Sequence, residues 1–66
     1  MRLTVNGESR EVPDALSAGQ LVEHFGLRRE AVVVERNEEV IPRGQLDQVK
    51  LADGDTIEII QMIAGG

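Results

Sequence analysis

Apolar residues near the start of the chain alternate with polar ones, which is the period of a β-strand. The alternation stops at Asn6-Gly7, a dipeptide suited to a type I′ hairpin turn because both residues tolerate positive φ. We therefore predict a second strand directly after the turn, with Leu3 facing Arg10 across the hairpin. Charge on a face that should be buried is typical of an edge strand, where it discourages association between sheets.

The apolar spacing then changes to that of a short amphipathic helix, predicted over residues 18–25. Ser17 and Gln20 form the S-x-x-Q capping box that marks a helix start. One apolar stripe follows at positions i, i+3, i+4 and i+7, made by Ala18, Leu21, Val22 and Phe25. Gly26 suits the left-handed residue that ends a helix. Phe25, the single aromatic residue of the chain, is expected in the core.

Turn residues divide the second half of the chain into further strands. Ala31–Glu35 predicts a buried strand that turns at Asn37-Glu38 into a short strand at Val40-Ile41. After a loop with a helical turn, Asp53-Gly54 is a second strong turn signal, and Thr56–Met62 is predicted as the last strand.

This order of elements predicts an α+β fold with one helix packed on one face of a mixed sheet of four to five strands. The β-grasp is the simplest such arrangement. A right-handed crossover through the helix lets later strands run parallel to the first, so the last strand can lie beside it at the sheet centre. We expect residues 1–66 to form a single domain whose C-terminal Gly-Gly tail, residues 63–66, is flexible.

Composition and charge exclude several classes of function for this chain of 66 residues. The formal net charge of −5 and the single aromatic residue argue against nucleic acid as a partner. There is no Cys, His24 is the lone histidine, and Asp53-Gly54-Asp55 lacks the further carboxylates of a calcium loop, so no metal site is expected. No signal peptide or membrane span is recognisable, and we expect a soluble, cytoplasmic protein.

The last predicted strand carries the clearest candidate for a binding surface. If Ile57 and Ile59 enter the core, then Ile60 and Met62 point to the opposite face of the sheet. One helix can cover only one face of a sheet. Ile60 and Met62 are therefore predicted to be exposed apolar residues beside the tail, where a partner protein can dock.

The Gly65-Gly66 ending suggests a chemical role for the terminal carboxylate. Glycine has no Cβ, so such a segment can lie extended in a channel too narrow for other residues. A carboxylate at its end is a poor electrophile until ATP converts it to an acyl adenylate, which a sulfur nucleophile can attack to leave a thiocarboxylate. In that scheme the chain is a carrier rather than an enzyme, and it contributes no catalytic residue.

In these features the chain resembles the ThiS family of sulfur carriers in thiamine thiazole biosynthesis. The resemblance spans the whole chain and rests on the Asn6-Gly7 turn, the capped helix, Ile41-Pro42-Arg43, the Asp53-Gly54-Asp55 turn and the ending Gln61-Met62-Ile63-Ala64-Gly65-Gly66. It implies that a ThiF-type, E1-like enzyme adenylates Gly66, which then carries the thiocarboxylate used by thiazole synthase, ThiG. The partner-binding residues would be Ile60, Met62, Ile63, Ala64 and Gly65. No cofactor is bound, since the partner enzymes use the ATP and the sulfur donor.

Other proteins with Gly-Gly endings leave three alternatives. These are a molybdopterin synthase small subunit, a ubiquitin-like protein modifier and a regulatory module of the TGS type. The first is typically longer and often has prolines before its tail, and the last would leave the Gly-Gly ending without a purpose. The sequence leaves open the sulfur donor, the oligomeric state, the activating enzyme present and a second role in protein modification.

Overall fold

This computed structural model describes residues 1–62, and most of their regular secondary structure is β-strand. The elements in chain order are β1 Arg2–Val5, β2 Glu8–Glu11, α1 Ala18–His24, β3 Val32–Arg36, β4 Glu39–Ile41 and β5 Thr56–Gln61. Short 3₁₀ turns span Arg29–Ala31 and Arg43–Gln45. The predicted order of elements is confirmed, with strand ends shifted by one residue because Ala31 closes a 3₁₀ turn and Met62 lies just beyond β5.

The strands form one mixed sheet in the order β2-β1-β5-β3-β4. β5 runs parallel to β1 on one side and antiparallel to β3 on the other, while β2 and β4 close the two edges. The last strand therefore lies at the sheet centre. This is the β-grasp arrangement that the sequence predicts.

The first hairpin has the predicted turn and register. Asn6 and Gly7 both have positive φ, 50° and 81° respectively. Leu3 pairs with Arg10 across the strands, and every residue of β2 is exposed. The charged strand is thus an edge strand.

Helix α1 begins and ends with specific backbone caps. At its start, the Ser17 hydroxyl accepts from the Gln20 N–H at 3.1 Å, and the Gln20 side chain accepts from the Ser17 N–H at 2.9 Å. At its end, Gly26 has φ 74° and the Leu27 N–H donates to the Val22 carbonyl at 3.0 Å, as in a Schellman motif. The helix has seven residues, and within residues 1–62 no helix is long and apolar enough to cross a bilayer.

The hydrophobic core lies between α1 and one face of the sheet. Its largest fully buried side chains are Leu3, Leu21, Leu46, Ile57, Val22 and Val34. Phe25 differs from the expectation of a core position, because it is only half-buried at the margin of this cluster. It is the residue at which the helix ends, and its ring lies 5.6 Å from the Arg10 guanidinium carbon on the exposed edge strand.

Candidate functional site

The side chains of β5 alternate between the core and the uncovered face of the sheet. Ile57 and Ile59 are buried, with 0% and 6% of their surface exposed. Ile60 and Met62 are 49% and 47% exposed. The predicted assignment of the two faces is confirmed, and two large apolar side chains lie next to the start of the tail.

The last part of β5 extends beyond the end of β1. β1 pairs with β5 as far as Ile57, whereas β3 pairs with it as far as Gln61. Where β1 has turned away, the Asn6 amide takes its place: its oxygen accepts from the Ile59 N–H at 2.8 Å and its nitrogen donates to the Ile59 carbonyl at 3.2 Å. The Met62 N–H donates to the Ala31 carbonyl at 2.7 Å. These hydrogen bonds therefore fix the path of the backbone as far as Met62.

Two further apolar residues extend the exposed surface onto the neighbouring strands. Val33 lies directly opposite Ile60 and is half-buried, and Val40 on β4 is 60% exposed. We call Val33, Val40, Ile60 and Met62 the open-face patch. Val33 and Val40 were not among the residues predicted for this surface. Strand alternation could have found Val33, because its neighbour Val34 is a core residue.

A buried carboxylate anchors the start of β5. Asp55, 8% exposed, accepts hydrogen bonds from the Ala52 N–H at 2.8 Å, Arg36 Nε at 2.9 Å and the Asn37 amide at 3.1 Å. Burial opposes ionisation, but these donors outweigh it and hold the pKa of Asp55 below its usual value. The sequence predicts a turn at Asp53-Gly54-Asp55 but does not reveal this network, because Arg36 ends β3 and Asn37 lies in the turn after it.

An ion pair fixes the segment that supports the end of β5. Arg29, two residues before Ala31, donates from Nη1 to Asp47 at 2.7 Å and from Nη2 to Glu23 at 3.1 Å. The hydrogen bond from Arg29 lowers the pKa of the Asp47 carboxyl. Helix residue Gly19 lies under this pair, since a Cβ there would be 2.7 Å from Asp47 Oδ1. The helix, the 3₁₀ turn and the loop after β4 are thereby tied together.

One further candidate residue of the sequence is the lone histidine, His24. His24 is exposed, with its ring against the edge of Phe25 at 5.4 Å between centroids. Within residues 1–62 no group of three or more His, Cys, Asp or Glu side chains is arranged to hold a metal ion. Four predicted site residues, Ile63, Ala64, Gly65 and Gly66, and with them the expectation of a flexible tail, lie outside the described residues.

Comparisons with known proteins point to one family. The model of the ThiS family matches residues 3–66. The sulfur carrier protein ThiS of Bacillus subtilis is 34% identical over 65 residues, which cover 97% of this chain and 98% of that protein. The crystal structure of the thiamine biosynthesis protein ThiS from Geobacter metallireducens has a TM-score of 0.86 and 35% identity, with full coverage of both chains.

A second kind of relative is much longer than this chain. A thiazole synthase of Paramagnetospirillum magneticum is 38% identical over 66 residues, which cover 100% of this chain and 20% of that protein. The chain thus spans about a fifth of the length of the first curated relatives it matches.

Proposed function

Because the chain belongs to the ThiS family, we propose that it is a sulfur carrier whose Gly66 holds the sulfur atom destined for the thiazole ring of thiamine. The observation that carries the proposal is the end of β5. β5 is a central strand, and hydrogen bonds fix the path of the chain as far as Met62. It carries part of the open-face patch and precedes the Gly65-Gly66 ending in the sequence. A partner that docks on the patch would bind Gly65 and Gly66 beside the surface that it contacts.

The chemistry proposed for Gly66 has two steps. A carboxylate oxygen attacks the α-phosphorus of ATP, and pyrophosphate leaves to give an acyl adenylate. A sulfur nucleophile at the oxidation level of sulfide then attacks the acyl carbon, and AMP leaves with the original oxygen. The product is a C-terminal thiocarboxylate. ATP and the sulfur donor belong to the partner enzymes, and this chain contributes the reacting carboxylate and the surface that positions it.

The proposed partners are an adenylating enzyme of the ThiF type and thiazole synthase of the ThiG type. A protein named thiazole synthase that contains a segment similar to this entire chain supports the second partner. The family match favours the thiazole route over the molybdopterin synthase and TGS alternatives. The Gly-Gly ending also suits a role as a protein modifier. That role stays a prediction, and no observation favours it.

Intact-mass analysis of the protein isolated from its own cells tests this proposal. Replacement of one carboxylate oxygen by sulfur adds about 16 mass units, which oxidation of a methionine also adds. The chain has two methionines, Met1 and Met62, so fragmentation must separate the two modifications. We expect fragmentation to assign the shift to Gly66 and to neither methionine. An unmodified carboxylate in cells that are synthesising thiamine would contradict the proposal.

A further inference from the structure

Asn6 extends the hydrogen bonding between β1 and β5 by one step beyond the end of β1. Its backbone N–H donates to the Ile57 carbonyl at 2.9 Å. Ile59 is the next residue whose backbone groups point to the same side of β5, because these groups alternate in direction along a strand. The Asn6 side chain accepts from the Ile59 N–H at 2.8 Å and donates to the Ile59 carbonyl at 3.2 Å. One residue thus holds two successive positions on this side of β5.

The hairpin turn by itself does not require the Asn6 amide. A type I′ turn needs positive φ at both central residues, and glycine supplies that as well as asparagine does. Ile59, by contrast, is only 6% exposed, and buried backbone groups need hydrogen-bond partners. The amide therefore has a role in β5 that can be separated from the role of Asn6 in the turn.

Hydrogen bonds from opposite sides hold β5 just before its end. Asn6 holds Ile59 from the side of β1. On the side of β3, the Ala31 carbonyl accepts from the Met62 N–H at 2.7 Å. Ile59 and Met62 are three residues apart, which is about 10 Å along a strand. A strand that is held on one side can pivot in the plane of the sheet, whereas two holding points on opposite sides fix its direction.

The direction of β5 matters because Gly66, the reacting residue of the proposed function, follows Met62 by only four residues. Four residues span at most about 14 Å, so a change of about 5° in strand direction displaces their end by about 1 Å. A misplacement of about 1 Å can lower a reaction rate by roughly 100-fold. We propose that Asn6 is a positioning residue, which directs the end of β5 so that the Gly66 carboxylate reaches the ATP of the adenylating enzyme.

This inference rests on the proposed function, and it predicts which kinetic constant changes when the amide is lost. The backbone groups of Ile60 point towards β3, where Val33 lies opposite, so they do not depend on Asn6. Val33 and Val40 belong to β3 and β4. Loss of the amide should therefore leave docking on the open-face patch largely intact and lower the rate at which the docked chain is adenylated.

The test is ATP–pyrophosphate exchange by the ThiF-type adenylating enzyme, measured over a range of concentrations of the chain. Asn6→Gly removes the amide and keeps the positive φ of the turn. We expect its kcat to fall roughly 10-fold while its KM changes by less than about threefold, the pattern of a group that acts on the reaction rather than on docking. Asn6→Asp covers the case in which Asn6→Gly does not fold. It keeps the acceptor for the Ile59 N–H and loses the donor to the Ile59 carbonyl, so its kcat should also fall with little change in KM.

Asn37→Gly is the matched control. Asn37 has φ 51°, and its side chain also binds the backbone of β5, but at Thr56, where the strand begins. Both glycine variants lose hydrogen bonds to β5, so both should lower the melting temperature. In assays well below either melting temperature, Asn37→Gly should keep the kcat of the wild type. Equal loss of kcat in the two variants would mean that only the stability of the domain matters, which would overturn the inference.

The remaining outcomes separate this inference from the proposed function. A wild-type kcat in folded Asn6→Gly and Asn6→Asp would overturn the positioning role and leave the proposed function standing. A raised KM at wild-type kcat would also overturn it, because Asn6 would then support the docking surface and not the direction of the tail. No adenylation of the wild-type chain would contradict the proposed function, and the inference would fall with it.

Discussion

Two asparagines in the left-handed backbone region support the central strand from opposite sides. Asn6 has φ 50° and Asn37 has φ 51°, a conformation that asparagine adopts more readily than most residues. The side chain of Asn6 pairs with the backbone of Ile59, and Asn37 Oδ1 accepts from the Thr56 N–H at 2.9 Å. Each turn residue thus shapes its hairpin and also extends the hydrogen bonding of β5.

The buried Asp55 carboxylate makes a prediction about acid. Its pKa is lowered in the folded state, so its stabilising contribution is present above the unfolded value of about 3.9. That contribution is lost as the pH falls through the lower folded-state pKa. We expect Asp55→Asn to reduce the free energy of unfolding at pH 7 by about 1–3 kcal/mol, because an amide cannot accept from all three donors. The deficit should shrink as the pH falls below the unfolded value and through the lower folded-state pKa of Asp55.

Urea unfolding of both proteins across the pH range measures this difference. Asp47→Asn is the control, since Asp47 also has a lowered pKa but lies exposed in its ion pair with Arg29. Its effect should be small and should decrease with salt. A deficit in Asp55→Asn that stayed constant from neutral to acid pH would show that the ionised form of Asp55 is not what stabilises the turn.

Local signals in the sequence account for the elements that were predicted closely. The capping box and the glycine stop of α1 lie within ten residues of each other, and both are present in the structure. The hairpin register follows from the two-residue turn. What the sequence could not give are contacts between distant segments: Asp55 meets Arg36 across 19 residues of chain, and the opposition of Glu35 and Glu58 depends on the register of two non-consecutive strands. The prediction that Phe25 lies in the core is wrong, because helical spacing does not reveal how the last turn of a helix is oriented.

Gly26 at the end of α1 and Gly44 in the 3₁₀ turn Arg43–Gln45 offer a matched test of backbone conformation. Gly26 has φ 74°, whereas Gly44 is not in the positive-φ region, and an added Cβ would contact nothing within 4 Å at either position. We expect Gly26→Ala to destabilise the domain by about 1–2 kcal/mol, the cost of the left-handed region for an L-residue. Gly44→Ala should be neutral or stabilising by up to about 1 kcal/mol.

Thermal or urea unfolding of the two alanine variants gives the comparison directly. Equal stability changes would mean that the Schellman-type ending does not depend on the glycine conformation. The comparison also bears on the site. The segment from Gly26 leads through Arg29 to Ala31, whose carbonyl accepts from the Met62 N–H. Loosening of the helix end should therefore increase amide hydrogen exchange at Met62.

On the scale of the whole molecule, the two faces of the sheet differ in what covers them. One face is covered by α1 and encloses the core, whose stability in a domain this small is marginal. The other face bears the open-face patch, which lies outside the core. Alternate side chains of β5 lie on opposite faces of the sheet. Substitutions on the uncovered face should therefore change binding, and substitutions on the covered face should change stability.

The neighbouring residues Ile59 and Ile60 test this separation. Ile60→Asp introduces a charge into the centre of the proposed docking face, and we expect it to weaken binding to the adenylating enzyme and to thiazole synthase by roughly 2–5 kcal/mol. Its melt should remain close to that of the wild type, because the Ile60 side chain is already 49% exposed. Ile59→Asp, at a buried position, should instead collapse the melt by leaving an unpaired charge in the core. A binding titration and a thermal melt on each variant suffice. Retained affinity with a normal melt in Ile60→Asp would remove the docking face, and a collapsed melt would show that both faces of β5 sustain the fold.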